Sequence, residues 1–259
     1  MRRMLLALAL AASGWAQPAL APPQIGFFQD GANSFRPVLG LAGNFILAEP
    51  VFANVTSAAY SGSFGLLKTD TSLIATDGQG QVRNATDAPR GPANFAFFRD
   101  GSPAFAYLPG SNLLFAWYGA GFQMVPFDCQ LFPAAAVVGI SAPDAAHVVF
   151  LVQAGDGLQE ISVLTETGQA ESQTTLPGIA APALRLASGA LVYSDGKGIV
   201  IRVPDSSEVH LDGPLPAEFS LAPMGADWLE LSDLSSPARF AIRVTAGREA
   251  LYSLPEVDQ

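Results

Sequence analysis

The chain carries few of the side chains that commonly perform catalysis or bind metals. It has two histidines, His147 and His210, and one cysteine, Cys129. Carboxylates and cysteines around either histidine are not spaced as a metal-binding set, and no G-x-S-x-G or G-x-x-x-x-G-K-S/T motif occurs. We therefore predict no catalytic residue, no metal site and no cofactor. We interpret Cys129 as a buried apolar thiol.

Glycoside hydrolysis is the enzymatic alternative, and it needs two carboxylates that converge on one bond. The strands that we assign below to the centre of the fold contain one carboxylate, Glu218, and one basic residue, Arg185. A carbohydrate-active enzyme, either a hydrolase or a lyase, would require Asp144, Glu218 and Asp227 to lie within about 5 to 10 Å of one another. That convergence would favour an enzyme over a binding protein.

Aromatic and arginine side chains are the remaining candidates, and they suit binding. Six residues form this candidate binding set: Arg90, Arg99, Trp117, Tyr118, Phe122 and Trp228. The four rings would anchor an interface if they are exposed and would pack between sheets if they are buried. The two arginines flank one predicted strand and are rare positive groups in a chain of net charge −10.

These candidates lie within a pattern of short strands. Between Asn94 and Val125, four apolar runs of strand length alternate with turns that contain Gly or Pro. A single antiparallel sheet of this size cannot bury both of its faces. The stretch therefore predicts a unit that is completed by further copies of itself.

The same four-strand pattern recurs along the chain. Equivalent second-strand positions follow one another at intervals of about 40 residues, at Phe64, Ala104, Val148, Ala190 and Trp228. The stretch from Ile25 to Ala48 has only about three candidate strands. We predict an all-β fold, a β-propeller of about six blades with five full units and one irregular N-terminal unit. A sandwich or barrel would match the strand content, but neither fold requires four strands separated by turns at such regular intervals.

The repeat resembles those of secreted bacterial β-propeller proteins of the loosely WD40-like or YVTN-like kind, over about residues 25 to 255. The RPVLGLAG segment at Arg36 to Gly43 is similar to one in uncharacterised exported propellers. The resemblance implies a propeller scaffold. The Gly-His and Trp-Asp dipeptides that characterise true WD40 repeats are missing. The resemblance carries over no catalytic residue.

The N-terminus has the pattern of a secretory signal peptide. Arg2 and Arg3 precede an apolar run from Met4 to Ala12, and small residues lead to a cleavage site after Ala16. The apolar run is too short to span a bilayer, which needs about 20 residues. We predict a signal peptide at residues 1–16, a linker at 17–24, a single propeller domain at 25–259 and a secreted or periplasmic location.

Together these features predict an exported, monomeric scaffold that presents rim loops to a protein or to a cell-envelope glycan. Net negative charge disfavours nucleic acid as a partner. The alternatives are a carbohydrate-active enzyme and a purely structural envelope component. We also expect the segment from Ile25 to Ala48 to pack beside the strand at Glu249 to Leu254, because an open ring would expose a sheet edge.

Overall fold

A computed structural model describes residues 22–99, 101–128, 130–155, 157–204, 208–213 and 215–256. The described residues form six antiparallel sheets, of which five have four strands and one has three. In every sheet, strands that are consecutive in the chain pair with one another. This arrangement is a six-bladed β-propeller, and it confirms the predicted fold class. The predicted signal peptide, most of the predicted linker and Cys129 lie outside the described residues.

The first three sheets contain the strands β1 to β11. The first has β1 (Gln24–Gln29), β2 (Phe35–Leu41) and β3 (Asn44–Leu47). The second has β4 (Val55–Tyr60), β5 (Phe64–Thr69), β6 (Ser72–Asp77) and β7 (Val82–Asp87). The third has β8 (Asn94–Phe97), β9 (Ala104–Leu108), β10 (Leu113–Trp117) and β11 (Phe122–Val125).

The last three sheets contain the strands β12 to β23. The fourth follows a 3-10 turn (Ala134–Ala136) and has β12 (Val137–Ser141), β13 (His147–Ala154), β14 (Gly157–Leu164) and β15 (Ala170–Pro177). The fifth has β16 (Ala183–Arg185), β17 (Leu191–Ser194), β18 (Gly198–Arg202) and β19 (Glu208–Asp212). The sixth has β20 (Phe219–Gly225), β21 (Trp228–Asp233), β22 (Arg239–Arg243) and β23 (Ala250–Ser253). Within the described residues, no helix is long and apolar enough to cross a membrane.

The first strand of each regular sheet faces the axis of the ring. Strands β4, β8, β12, β16 and β20 lie beside one another around a channel and run in the same direction. Their last residues, including Phe97, Ser141 and Arg185, line a pocket at one mouth. Their first residues, including Asn94 and Val138, line a cavity at the other mouth. We call the two ends of the ring the carboxyl face and the amino face.

Strand β1 runs against this direction. Its first residue, Gln24, donates from Nε2 to the hydroxyl of Tyr60 at the end of β4, over 3.4 Å. Its last residue, Gln29, donates to the carbonyl of Val55 at the start of β4, over 2.6 Å. The first sheet therefore lacks, within the described residues, the inner strand of a regular blade. Strands β4 and β20 approach each other directly as a result.

The ring closes where the first sheet meets the last, a contact that we call the seam. A Cβ atom on Gly26 would lie 1.8 Å from the carbonyl oxygen of Met224, so only glycine allows this approach. Farther out, the ring of Phe45 meets Trp228 at 5.7 Å and Tyr252 at 5.8 Å, both edge to face. These contacts confirm that the N-terminal unit packs beside the last blade.

Apolar side chains fill the spaces between blades. Every residue of β9 is buried, whereas the outer strand β19 alternates between exposed and half-buried positions. Tyr107 meets Phe150 edge to face at 5.2 Å and joins the third blade to the fourth. The inner strands are thereby fixed in position, and so are the side chains that they send into the channel.

Candidate functional site

The channel holds three cavities in succession. The pocket at the carboxyl face has a volume of about 330 Å³, the middle cavity about 260 Å³ and the amino-face cavity about 440 Å³. The carboxyl-face pocket combines apolar walls with charged and polar groups, as ligand sites usually do. This pocket is the candidate functional site.

Apolar side chains from four blades form the walls of the carboxyl-face pocket. They include Phe95, Phe97, Leu184 and Trp228. Polar and charged residues also line it, among them Arg99, Ser141, Arg185 and Asp227. Because the walls come from different blades, the pocket exists only in the closed ring.

Arg185 is already neutralised by its neighbours. Its Nε forms an ion pair with Glu160, and its Nη1 donates to the carbonyl of Gly189 over 2.6 Å. The positive charge of Arg185 is therefore committed to holding the fourth and fifth blades together.

Arg99 differs from Arg185, because no carboxylate among the described residues pairs with its charge. The guanidinium carbon lies 5.0 Å from the centre of the Phe98 ring, and no ion pair to Arg99 is formed in the part of the chain that the structure describes. Its φ of +44° is in the left-handed region, which a residue with a Cβ rarely adopts. Such strain is concentrated at binding and catalytic sites, where the surrounding structure holds a side chain in a required place.

Ser141 supplies a second uncommitted group. Only 3% of the residue is exposed, and its Oγ has no hydrogen-bond partner among the described residues. A buried hydroxyl without a partner costs about 1–3 kcal/mol. The Oγ atom itself is shielded, so a ligand in the pocket does not reach it without a local rearrangement.

The structure separates the six predicted binding residues. Arg99 and Trp228 line the carboxyl-face pocket, and Tyr118 lies on the rim of the same face with 46% of its surface exposed. Arg90 precedes β8 and belongs to the amino face, where it forms an ion pair with Asp70 at 3.2 Å. Since Arg90 and Arg99 lie at opposite ends of one strand, they cannot contact one ligand.

Two of the predicted rings pack inside the protein. Trp117 is 3% exposed, stacks on Phe64 at 5.5 Å and contacts Phe122 at 5.2 Å. These rings belong to the core between the second and third blades and do not offer a stacking surface. Trp228 combines both roles, because it packs on Phe45 at the seam and also lines the pocket.

The carboxylates that an enzyme would need do not converge. Asp227 lines the carboxyl-face pocket, whereas Glu218 lines the amino-face cavity at the opposite mouth. Asp144 is exposed and bonds to the Nδ1 atom of His147 at 2.8 Å. The arrangement that would favour a carbohydrate-active enzyme is therefore not formed by these three residues.

A different pair of acids, missed in the sequence, meets beside the seam. Asp30 and Glu230 line a cavity of about 270 Å³ on the amino face. Burial, together with the nearby charge of Asp30, raises the pKa of Glu230 to about 7, although Ser232, Arg239 and the amide of Gln29 oppose the shift. The Asp30 and Glu230 side chains are only 1% and 7% exposed, and each is paired with an arginine, Asp30 with Arg36 and Glu230 with Arg239. The sequence does contain a sign of this buried acid, since Glu230 stands between Leu229 and Leu231 in an apolar strand.

His147 is the centre of an exposed cluster that the sequence also failed to reveal. Its two ring nitrogens each lie 2.8 Å from a carboxylate, Nδ1 from Asp144 and Nε2 from Glu171. The hydrogen bond to Asp144 is the largest cause that raises the pKa of His147. Both nitrogens are occupied by carboxylates, so the ring links β13 to the start of β15, and the two acids favour its charged form. No group of three His, Cys, Asp or Glu side chains in the described ranges is arranged to hold a metal ion.

Comparison with known proteins identifies the fold alone. No protein-family profile and no curated protein matches the chain. A crystal structure of a protein of unknown function from Bacteroides caccae is similar over 91% of this chain and 100% of its own, with 14% identity and a TM-score of 0.57. The chain is a β-propeller.

Two further solved structures share the architecture at lower similarity. A nidogen/laminin complex matches over 90% of this chain and 99% of its own, with 13% identity and a TM-score of 0.52. TolB from Acinetobacter baumannii matches over 90% of this chain and 66% of its own, with 12% identity and a TM-score of 0.50. At such identities a shared fold does not carry over a function.

Proposed function

We propose that this protein is an exported, monomeric binding propeller that catalyses nothing and receives a protein or cell-envelope partner at its carboxyl face. The observation that carries the proposal is the pocket of about 330 Å³, which is lined by the guanidinium of Arg99, a cation with no ion pair among the described residues. This cation can pair with an anionic group of a partner. Tyr118 on the rim would extend the contact outward.

Export rests on the N-terminal pattern of Arg2, Arg3 and the apolar run that follows. A non-catalytic role is supported by the acids of the pocket. Among the described residues, Asp227 is the one carboxylate that lines it, whereas acid–base hydrolysis needs two.

A pair of matched substitutions tests the face that binds. Ala187 and Ala217 are both exposed, and they line the carboxyl-face pocket and the amino-face cavity respectively. A ligand present at about a hundred times its dissociation constant stabilises a protein by about 2.7 kcal/mol, which raises the melting temperature. We expect one class among cell-wall oligosaccharides, short peptides and envelope proteins to produce such a rise.

Ala187→Trp should abolish that rise by filling the pocket, and Ala217→Trp should leave it unchanged. The reverse pattern would place the partner on the amino face. Equal binding by both variants would contradict a role for the channel mouths. Turnover of any oligosaccharide in the panel would contradict the non-catalytic proposal.

A further inference from the structure

Resting on the function proposed above, we infer that the carboxyl-face pocket binds the free carboxyl terminus of an apolar peptide chain. The carboxylate would pair with Arg99, the last peptide N–H would donate to Asp227, and the terminal side chain would lie against Phe97 and Trp228. Three independent features of the pocket lead to this ligand class.

The first feature is the free cation. A guanidinium presents two parallel N–H donors that match the two oxygens of a carboxylate. Arg99 is exposed at the pocket, whereas the other arginine of the pocket, Arg185, is paired with Glu160. The strained backbone of Arg99 and the contact of its guanidinium with Phe98 fix the direction in which this cation points.

The second feature is the presence of a carboxylate acceptor in the same pocket. Asp227 is exposed there, and no ion pair to it is formed among the described residues. A simple inorganic anion would gain from Arg99 but be repelled by Asp227. The terminal residue of a peptide carries both a carboxylate and an N–H donor, so it satisfies the two charges at once.

The third feature is the apolar wall. Phe95, Phe97, Leu184 and Trp228 offer few hydrogen-bonding groups, and a glycan, which carries a hydroxyl on most of its carbons, would leave many of them unpaired here. The volume of about 330 Å³ is at the low end for ligand pockets and accommodates one or two residues. The pocket is therefore suited to a chain end with an apolar side chain.

Calorimetric titration of the full protein tests this inference with three probes. They are acetyl-Ala-Leu-Leu with a free carboxylate, the same peptide with a C-terminal amide, and acetyl-leucine as the single-residue source. We expect the free acid to bind at least about tenfold more tightly than the amide, because the amide lacks the charge that Arg99 pairs with. If acetyl-leucine bound as tightly as the tripeptide, the site would be one for a single amino-acid derivative. That result would overturn the inference that the ligand is a peptide chain.

Variants separate the roles of the pocket groups. Arg99→Gln should weaken binding of the free-acid peptide by about tenfold or more and leave binding of the amide unchanged. A loss of folding would instead weaken the binding of both peptides. Arg90→Gln is the matched control, because Arg90 is an exposed arginine at the other end of the same strand, and it should change affinity by less than about twofold.

Equal affinities for acid and amide, equal effects of Arg99→Gln and Arg90→Gln, or no heat from any probe would each overturn the inference. The proposed function would survive those results if Ala187→Trp still abolished the binding of another partner. Binding at the carboxyl face would be contradicted if that variant also had no effect.

Discussion

The main-chain amide of Gln29 in the first sheet donates to the Oε2 atom of Glu230 in the last sheet, over 3.4 Å across the seam. No ladder of strand hydrogen bonds joins these two sheets within the described residues. The ring is thus closed by side-chain packing, by glycine contacts and by one buried carboxyl group. A buried carboxyl makes the closure sensitive to pH.

Glu230 should make the folded state less stable as the pH rises toward neutrality. Burial raises its pKa from 4.5 to about 7 in the folded protein. The folded state therefore binds the proton more tightly than the unfolded state does. The carboxyl imposes no penalty below pH 4.5, and the penalty grows to about 3 kcal/mol as the pH rises to 7.

Glu230→Gln, a neutral isostere, tests this linkage in denaturant titrations between pH 4 and 8. The variant should match the natural protein at low pH and exceed it by up to about 3 kcal/mol above pH 7. Glu218→Gln, at an exposed position of the amino face, is the control and should change the unfolding free energy by less than about 0.5 kcal/mol. A difference for Glu230→Gln that did not vary with pH would contradict the buried acid.

The glycine contact at the seam should tolerate no side chain. In Gly26→Ala the new Cβ would lie 1.8 Å from the carbonyl oxygen of Met224, a backbone atom that cannot move without parting the sheets. We expect a loss of at least about 3 kcal/mol in unfolding free energy. Gly31→Ala in the following turn meets nothing within 4 Å and should cost less than about 1 kcal/mol. Similar losses for the two variants would show that the seam is not closely packed.

Two adjacent residues of β3 provide a second test of the seam. Phe45 is 7% exposed and packs on Trp228 and Tyr252, whereas Ile46 is 54% exposed on the opposite face of the strand. Phe45→Ala should lower the unfolding free energy by about 3–5 kcal/mol, and Ile46→Ala by less than about 1 kcal/mol. Chemical denaturation followed by tryptophan fluorescence measures both. Equal effects would mean that the first sheet does not stabilise the ring.

The fold could be predicted from local pattern because turn residues and apolar runs repeat with a fixed period. The predicted strand from Phe64 to Lys68, for example, is β5 (Phe64–Thr69). The reversed direction of β1 could not be predicted in this way. Its apolar run has the same composition in either direction, and only the tertiary contacts of Gln24 and Gln29 reveal the orientation.

The site was less accessible to sequence reasoning, because its residues come together through the ring. Arg99 was found because it is a rare cation next to a strand, but nothing local separated it from Arg90. Ser141 resembles any strand-end serine, and its missing hydrogen bond exists only in three dimensions. Trp117 showed the converse difficulty, since an aromatic residue at a strand end can face a neighbouring blade or the solvent.

The exposed cluster on the fourth blade allows a prediction with the same pH sign but a smaller size. The pKa of His147 is raised above its ordinary value of 6.5, first by the hydrogen bond to Asp144 and also by Glu171. The stabilisation is fully present below pH 6.5 and is lost as the pH rises through the pKa of the folded protein. Because the cluster is partly exposed, its contribution should be within about 1 kcal/mol.

Asp144→Asn should lower the pKa of His147, and Glu171→Gln should lower it by less, as followed by the NMR titration of the ring Cε1 proton. The control is Asp195→Asn, which alters the acid beside the other histidine, His210, and should leave His147 unchanged. If Asp144→Asn left the titration of His147 in place, the two carboxylates would not hold the ring as a cation. The unfolding free energy of the natural protein should fall as the pH rises toward 7. Glu230→Gln should remove most of this fall, and Asp144→Asn should remove only a small part of it.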